Sequence, residues 1–225
     1  MDKYKLLILI MFIFCVTTIS KVNAKIKNYS LLGRCIYLDA GHGGVDSGAI
    51  SNNFLEKDMN LLLVEKLANE LFYRGAMVFL TRDGDYDLAN TDINRKRNDL
   101  YGRVKLINSS NCDMYISIHM NASDSNKWSG IQVFYSDIKK ENKKIANIVT
   151  QNLANNREEK KENGYYMYSK LKIPGILIEA GYISNSHDNY IIRKEDYQNN
   201  ELKETNEVSN EQKEKNTTVE TSTGD

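Results

Sequence analysis

Several things are scarce in this chain of 225 residues. Net charge is absent, because 30 lysines and arginines balance 30 aspartates and glutamates. No basic surface is therefore offered to nucleic acid. Long apolar runs are absent but for one near the N-terminus, and no internal repeat is visible. Proline occurs once, as Pro174, and tryptophan once, as Trp128; histidine and cysteine occur three times each. The length suits one domain with a real core, or at most two small ones.

The apolar run extends from Leu6 to about Ile19 behind Lys3 and Lys5, and Val22-Asn23-Ala24 has the small-residue spacing of a cleavage site. At roughly 14 residues it is short for a membrane span. Residues 1–24 are thus expected to be a signal peptide, with membrane attachment only if it stays uncleaved. The mature chain is expected to be exported. Cys15 would leave with the signal. Cys35 and Cys112 remain and read as two buried thiols, since free cysteine commonly lies in cores. A disulfide after export is the alternative and needs Cα atoms within about 7 Å.

Apolar patterning then alternates between strand and helix. Cys35-Ile36-Tyr37-Leu38, Met77 to Thr81, Met114 to His119, Gly130 to Tyr135 and the run after Pro174 read as strands. A helix is expected from about Lys57 to Arg74, with Met59, Leu63, Leu67 and Leu71 at steps of four and Leu62, Val64 and Phe72 widening the face. A second carries Ile93, Leu100, Val104 and Ile107, and a third runs from about Glu141 to Asn155 with Ile145, Ile148, Val149 and Leu153. This alternation predicts an α/β fold: a single domain over 25–198, with a mainly parallel sheet flanked by helices on both faces. Residues 199–225 are too polar to bury enough surface to order themselves.

Three of the strands end in a residue with chemistry to offer. His42 follows the first within Asp39-Ala40-Gly41-His42-Gly43-Gly44, His119 ends the third, and Glu179 ends the last. Open α/β sheets bind ligands at that end. Singly, each has a plain explanation. His42 could be a turn residue, and Glu56, three residues after Asn53, fits a helix-capping pair. Asp39, Asp46, Asp58 and Asp113 read as loop and cap acids. Together, two histidines and a carboxylate supply the three protein ligands of a catalytic zinc, and a second carboxylate can take a proton from water in the fourth position.

The ordered segments Leu38 to Gly44, Glu56-Lys57-Asp58, Ser117 to Ala122 and Ile178 to Asn185 resemble the zinc-dependent N-acetylmuramoyl-L-alanine amidases, peptidoglycan hydrolases of α/β fold. The resemblance covers about Cys35 to Tyr190. It implies that His42, Glu56 and His119 bind zinc and that Glu179 is the general base and acid. It also points to substrate contacts or bracing by Asn121, Trp128, Ser184 and Asn185. Asp99-Leu100…Arg103-Val104…Ile107-Asn108 and Lys127-Trp128-Ser129-Gly130 resemble the sporulation and germination branch. That branch strips peptides from cortex peptidoglycan so that a deacetylase can lead to muramic-δ-lactam, and the resemblance implies a place in the cell envelope or a spore cortex compartment.

Two departures stand out. Ala40 takes the place of a usual proline. After the Ser-Asn turn, where relatives finish in an apolar helix, only Tyr190-Ile191-Ile192 and Tyr197 are available. Without that helix an apolar face is left for an activating protein partner or a second copy of the chain; the alternative is that Asn189 to Tyr197 folds back as a short helix and closes the core unaided. A zinc carboxypeptidase, with Arg82, Arg95 or Arg103 reading the terminal carboxylate, and a silent wall-binding module are the competing readings.

Overall fold

A computed structural model describes residues 29–51, 53–153 and 158–194. The expected signal peptide and the polar segment after 199 lie outside the described residues. Within them no helix is long and apolar enough to cross a membrane.

Eight strands and three helices appear in the order β1 (Cys35–Ala40), β2 (Ile50–Ser51), β3 (Phe54–Leu55), α1 (Glu56–Tyr73), β4 (Met77–Leu80), α2 (Arg95–Ser109), β5 (Met114–Asn121), β6 (Gln132–Tyr135), α3 (Lys140–Asn152), β7 (Lys160–Lys161) and β8 (Gly175–Tyr182). A further helix, α4, occupies 186–194. The main sheet has the order β4-β1-β5-β8-β6-β7, and β2 pairs with β3 apart from it. β4, β1, β5 and β8 run parallel, whereas β6 is antiparallel to β8.

Period-two alternation divides the sheet between two cores. Ile36, Leu38 and Ile118 face α1 through Val64 and Leu67, while Val133, Tyr135 and Ile176 face α3 through Ala146 and Val149. On the opposite face Tyr37, Tyr115 and Leu177 pack against Val104 and Ile107 of α2 and against Tyr168 and Leu171. The sheet is thus covered on both faces, as the alternation of elements predicts.

Several expectations need correction. Cys35 and Cys112 form a disulfide, with Cα atoms 4.6 Å apart, instead of remaining thiols. The cause is the pairing of β1 with β5: Asp113 accepts the amide of Cys35 and returns its own amide to the Cys35 carbonyl, drawing the two cysteines together. Phe72, Ile93 and Ile148 are exposed. Ile93 precedes α2, which starts after Asn94 turns into the left-handed region at φ 53°. The short final helix given as the alternative is the one present: Ile192 of α4 packs with Met59, Met120 and Ile183. β7, two exposed lysines held by backbone pairing with β6, has no apolar signal to announce it.

Candidate metal centre

The carboxyl end of the sheet carries the site. After β1 the chain enters a tight loop in which His42 itself has φ 60°. Its Nε2 lies 3.1 Å from Glu56 Oε1, and His119 Nδ1 lies 3.0 Å from the same oxygen. The two imidazoles meet edge to face with centroids 5.0 Å apart. One ligand atom from each of His42, Glu56 and His119 falls within 4.8 Å of the others. Glu56 opens α1 after an N-cap at Leu55 that makes no side-chain capping bond, so the capping explanation does not describe it. Instead its Oε2 accepts the Ala49 amide and its Oε1 the Met120 amide.

Two glycines make room for this packing. A Cβ on Gly41 would lie 2.3 Å from the His119 ring. One on Gly48, at φ +65°, would lie 2.6 Å from Glu56 Oε2 and 2.7 Å from His42 Cδ2. The donor set of two imidazoles and a carboxylate, with room left on one side, fits what a catalytic zinc requires.

Electrostatics separate the two acids. Burial works against ionising Glu56, but hydrogen bonds from His119 and His42 outweigh it and hold the carboxyl far below its ordinary range. Glu179 has no such partner. Burial, reinforced by the Glu56 charge and opposed by the two histidines, pushes it up to about 7. Its Oε2 is buried without a hydrogen bond. Both acids and both histidines line one cavity of about 380 Å³, whose far wall is formed by Leu100, Tyr115, Tyr165, Met167, Tyr168 and Leu177.

The family model described as N-acetylmuramoyl-L-alanine amidase matches residues 36–207. The chain belongs to this family. It is 40% identical over 200 residues to the germination-specific N-acetylmuramoyl-L-alanine amidase of Bacillus subtilis, covering 85% of this chain and 84% of that one. The CwlD amidase of Clostridioides difficile, solved in complex with the GerS lipoprotein, superimposes with a TM-score of 0.68 at 35% identity, over 73% of this chain and 90% of that one. AmiC2 of Nostoc punctiforme gives 0.62 at 30% identity, over 74% and 89%. As a peptidoglycan amidase the protein hydrolyses the bond between N-acetylmuramic acid and L-alanine, which displaces the carboxypeptidase and silent-module readings.

The arginines considered for a carboxypeptidase have other employment. Arg82 and Arg103 are buried and donate to backbone carbonyls, and Arg95 pairs with Asp87 and Asp92. Of the expected substrate contacts, Asn121 lines the cavity. Trp128, Ser184 and Asn185 do not border it: Ser184 Oγ accepts the Ser123 amide, and Asn185 reaches the Asn126 carbonyl while capping α4 at the His187 and Asp188 amides. Trp128 is about half exposed.

Three residues of the amidase centre lay hidden in the sequence. Asp46 accepts from His42 Nδ1 at 3.0 Å, the arrangement by which an outer carboxylate would fix a metal-binding imidazole. Asp39 is a buried strand residue, not a loop acid; it receives Thr81, Ser117 and Arg103. Burial raises its pKa, but the Arg103 charge and the Ser117 hydrogen bond outweigh this and keep it low. Arg103 completes the set through Asp99. The spacing of Asp46 four residues after His42 and the Asp99…Arg103 spacing were the available hints.

Proposed function

We propose that this amidase is a zinc hydrolase in which His42, Glu56 and His119 hold the metal and Glu179 handles the protons. The convergence of those three donors beside Glu179, whose buried Oε2 has no hydrogen bond, carries the reading. Zinc, when bound, supplies a Lewis acid that brings a water's pKa to about 7 and polarises the lactyl carbonyl. Glu179 takes a proton from the attacking water and returns it to the departing alanine nitrogen, a poor leaving group unless protonated. Its environment suits both halves, because a carboxyl near pKa 7 can accept and release a proton at neutral pH. Asp46 keeps the His42 ring oriented, and the apolar far wall of the cavity excludes water around the reacting amide.

The likeness to the germination-specific enzyme supports a role in spore cortex, where peptide removal precedes muramic-δ-lactam formation. The disulfide supports export, since such bonds persist in oxidising compartments. The relative solved with a lipoprotein supports action with a protein partner, either a distinct activator or a second copy. Analysis of products from purified muropeptides, with zinc measured on the same sample, tests the chemistry. Free stem peptide, intact glycan and one zinc-dependent activity are expected. Loss of only a C-terminal residue, or turnover that survives complete zinc removal, would overturn it.

A further inference from the structure

We infer that Arg82 is a positioning residue of the metal centre, tying the loop that carries His42 to the helix that begins with Glu56. The inference rests on the zinc reading above. Arg82 lies two residues beyond β4, the strand that pairs with β1, and is almost fully buried at 1% exposure. A guanidinium stays charged when buried, so its donors must be satisfied. Here they go to main-chain oxygens: Nε to Ala40 at 3.0 Å, Nη1 to Gly84 at 3.0 Å, and Nη2 to both Gly41 at 3.0 Å and Lys57 at 2.7 Å.

The last pair matters most. Gly41 immediately precedes His42 and Lys57 immediately follows Glu56, so a single nitrogen bridges the backbones next to two ligands. Arg103 also grips the loop, at the carbonyls of Ala40 and His42, but its other bonds run to Asp39 and Asp99. Arg82 is the guanidinium that reaches α1. Asn60 adds a weaker link by donating to Gly41 O at 3.1 Å and to Glu56 Oε1 at 3.4 Å. His42 needs such restraint, because a non-glycine residue at φ 60° lies in a region disfavoured for L-residues. A lysine would keep the charge but lose the planar fork that serves both elements.

The test compares Arg82→Lys with Val64→Ala, a fully buried position of α1 that destabilises the same helix without touching the loop. Zinc affinity is measured by competition with a chromophoric chelator, and ligand geometry by the visible spectrum of the cobalt-substituted protein. Arg82→Lys is expected to weaken zinc by about 10–100-fold and to alter the cobalt bands. Val64→Ala should melt lower yet keep near wild-type affinity and spectrum. If Arg82→Lys does not fold without metal, the zinc concentration for half refolding is read for both variants, and a rise of at least about tenfold over Val64→Ala is expected. Wild-type affinity in Arg82→Lys, or a loss no greater than in Val64→Ala, overturns the inference alone. A wild-type protein that binds no zinc overturns the metal reading and this inference with it.

Discussion

His119 and Glu179 stand opposite one another on adjacent parallel strands, and the ladder shifts register immediately beyond them. β5 therefore delivers a proposed zinc ligand and β8 the proposed proton carrier at the same depth and on the same face. The irregularity ends regular pairing at the rim of the cavity, where bulges commonly re-aim side chains. Glu56 approaches from α1 and makes the hydrogen bond to His119. Glu179 is thus a neighbour of the three proposed metal donors that none of them holds.

That separation predicts the behaviour of Glu179→Gln. Turnover should fall by at least about 10²–10⁴-fold, the cost of losing a general base, and further if the same group also serves as acid. Zinc content should stay at the wild-type level, because the three donors are untouched. Metal analysis beside single-turnover kinetics checks both halves. Loss of zinc in this variant would mean that the roles of the two acids are reversed.

The same residue predicts how the metal-free fold responds to pH. Glu179 has a folded pKa near 7 against an ordinary 4.5. A raised carboxyl pKa means that the fold favours the protonated form. The associated stability is full below about pH 4.5 and is lost as pH rises through 7, by on the order of 2–3 kcal/mol. His42 acts in the same direction: burial lowers its pKa, but Glu56 and then Asp46 raise it overall, so its contribution also fades with rising pH. Glu56, with a depressed pKa, acts on the acid side, and its contribution disappears as pH falls. Thermal melts of metal-free protein should therefore show stability declining from mildly acidic to alkaline pH. Glu179→Gln should flatten that decline, and an unchanged slope would contradict the assignment.

How far the sequence could be read depended on what holds each feature together. β1, β5 and β8 were legible because each is an apolar run that ends in one polar residue, and a central parallel strand buried on both faces reads that way. α1 was legible from Met59, Leu63 and Leu67 at helical spacing. The Arg82 clamp was not, because its acceptors are backbone carbonyls 41 and 25 residues away, and carbonyls leave no mark on side-chain pattern. α4 stayed an open alternative because so few apolar residues are available there; of them, Ile192 alone reaches the cluster around Met59 and Met120. Ile148 illustrates the opposite error, since apolar spacing placed it inward while the structure leaves it exposed.

Removing the outer carboxylate should separate orientation from ligation. Asp46 touches His42 Nδ1 and is not among the three converging donors. Asp46→Asn keeps a hydrogen-bond acceptor for the ring, whereas Asp46→Ala removes it. Zinc affinity should fall about 10–100-fold in the alanine variant and less in the asparagine one. Glu56→Gln, which neutralises a proposed ligand, should lose more than either. Competition titrations on the three proteins give the order directly, and an alanine variant that binds like wild type would limit Asp46 to shaping the loop.

The disulfide supplies the last prediction. Cys35 opens β1 and Cys112 lies just ahead of β5, so the bond joins the entrances of the two strands that lead to His42 and His119. The cysteines are 77 residues apart, and closing a loop of that size restricts the unfolded chain strongly. In the chain-entropy account this stabilises the fold by about 4.5 kcal/mol, and native disulfides typically contribute about 2–5. The double variant Cys35→Ala, Cys112→Ala should accordingly melt well below the oxidised wild type, and reductant should lower the wild type but leave the variant unchanged. Zinc affinity should move little once folding is complete, because Ile36–Met114 to Ala40–Ile118 pairing holds β1 against β5 independently of the sulfurs. Melting under oxidising and reducing conditions checks the first part, and a zinc titration well below the melting temperature checks the second. A variant that folds fully but fails to bind zinc would show that the bond sets the spacing of the histidines and does not merely secure the strands.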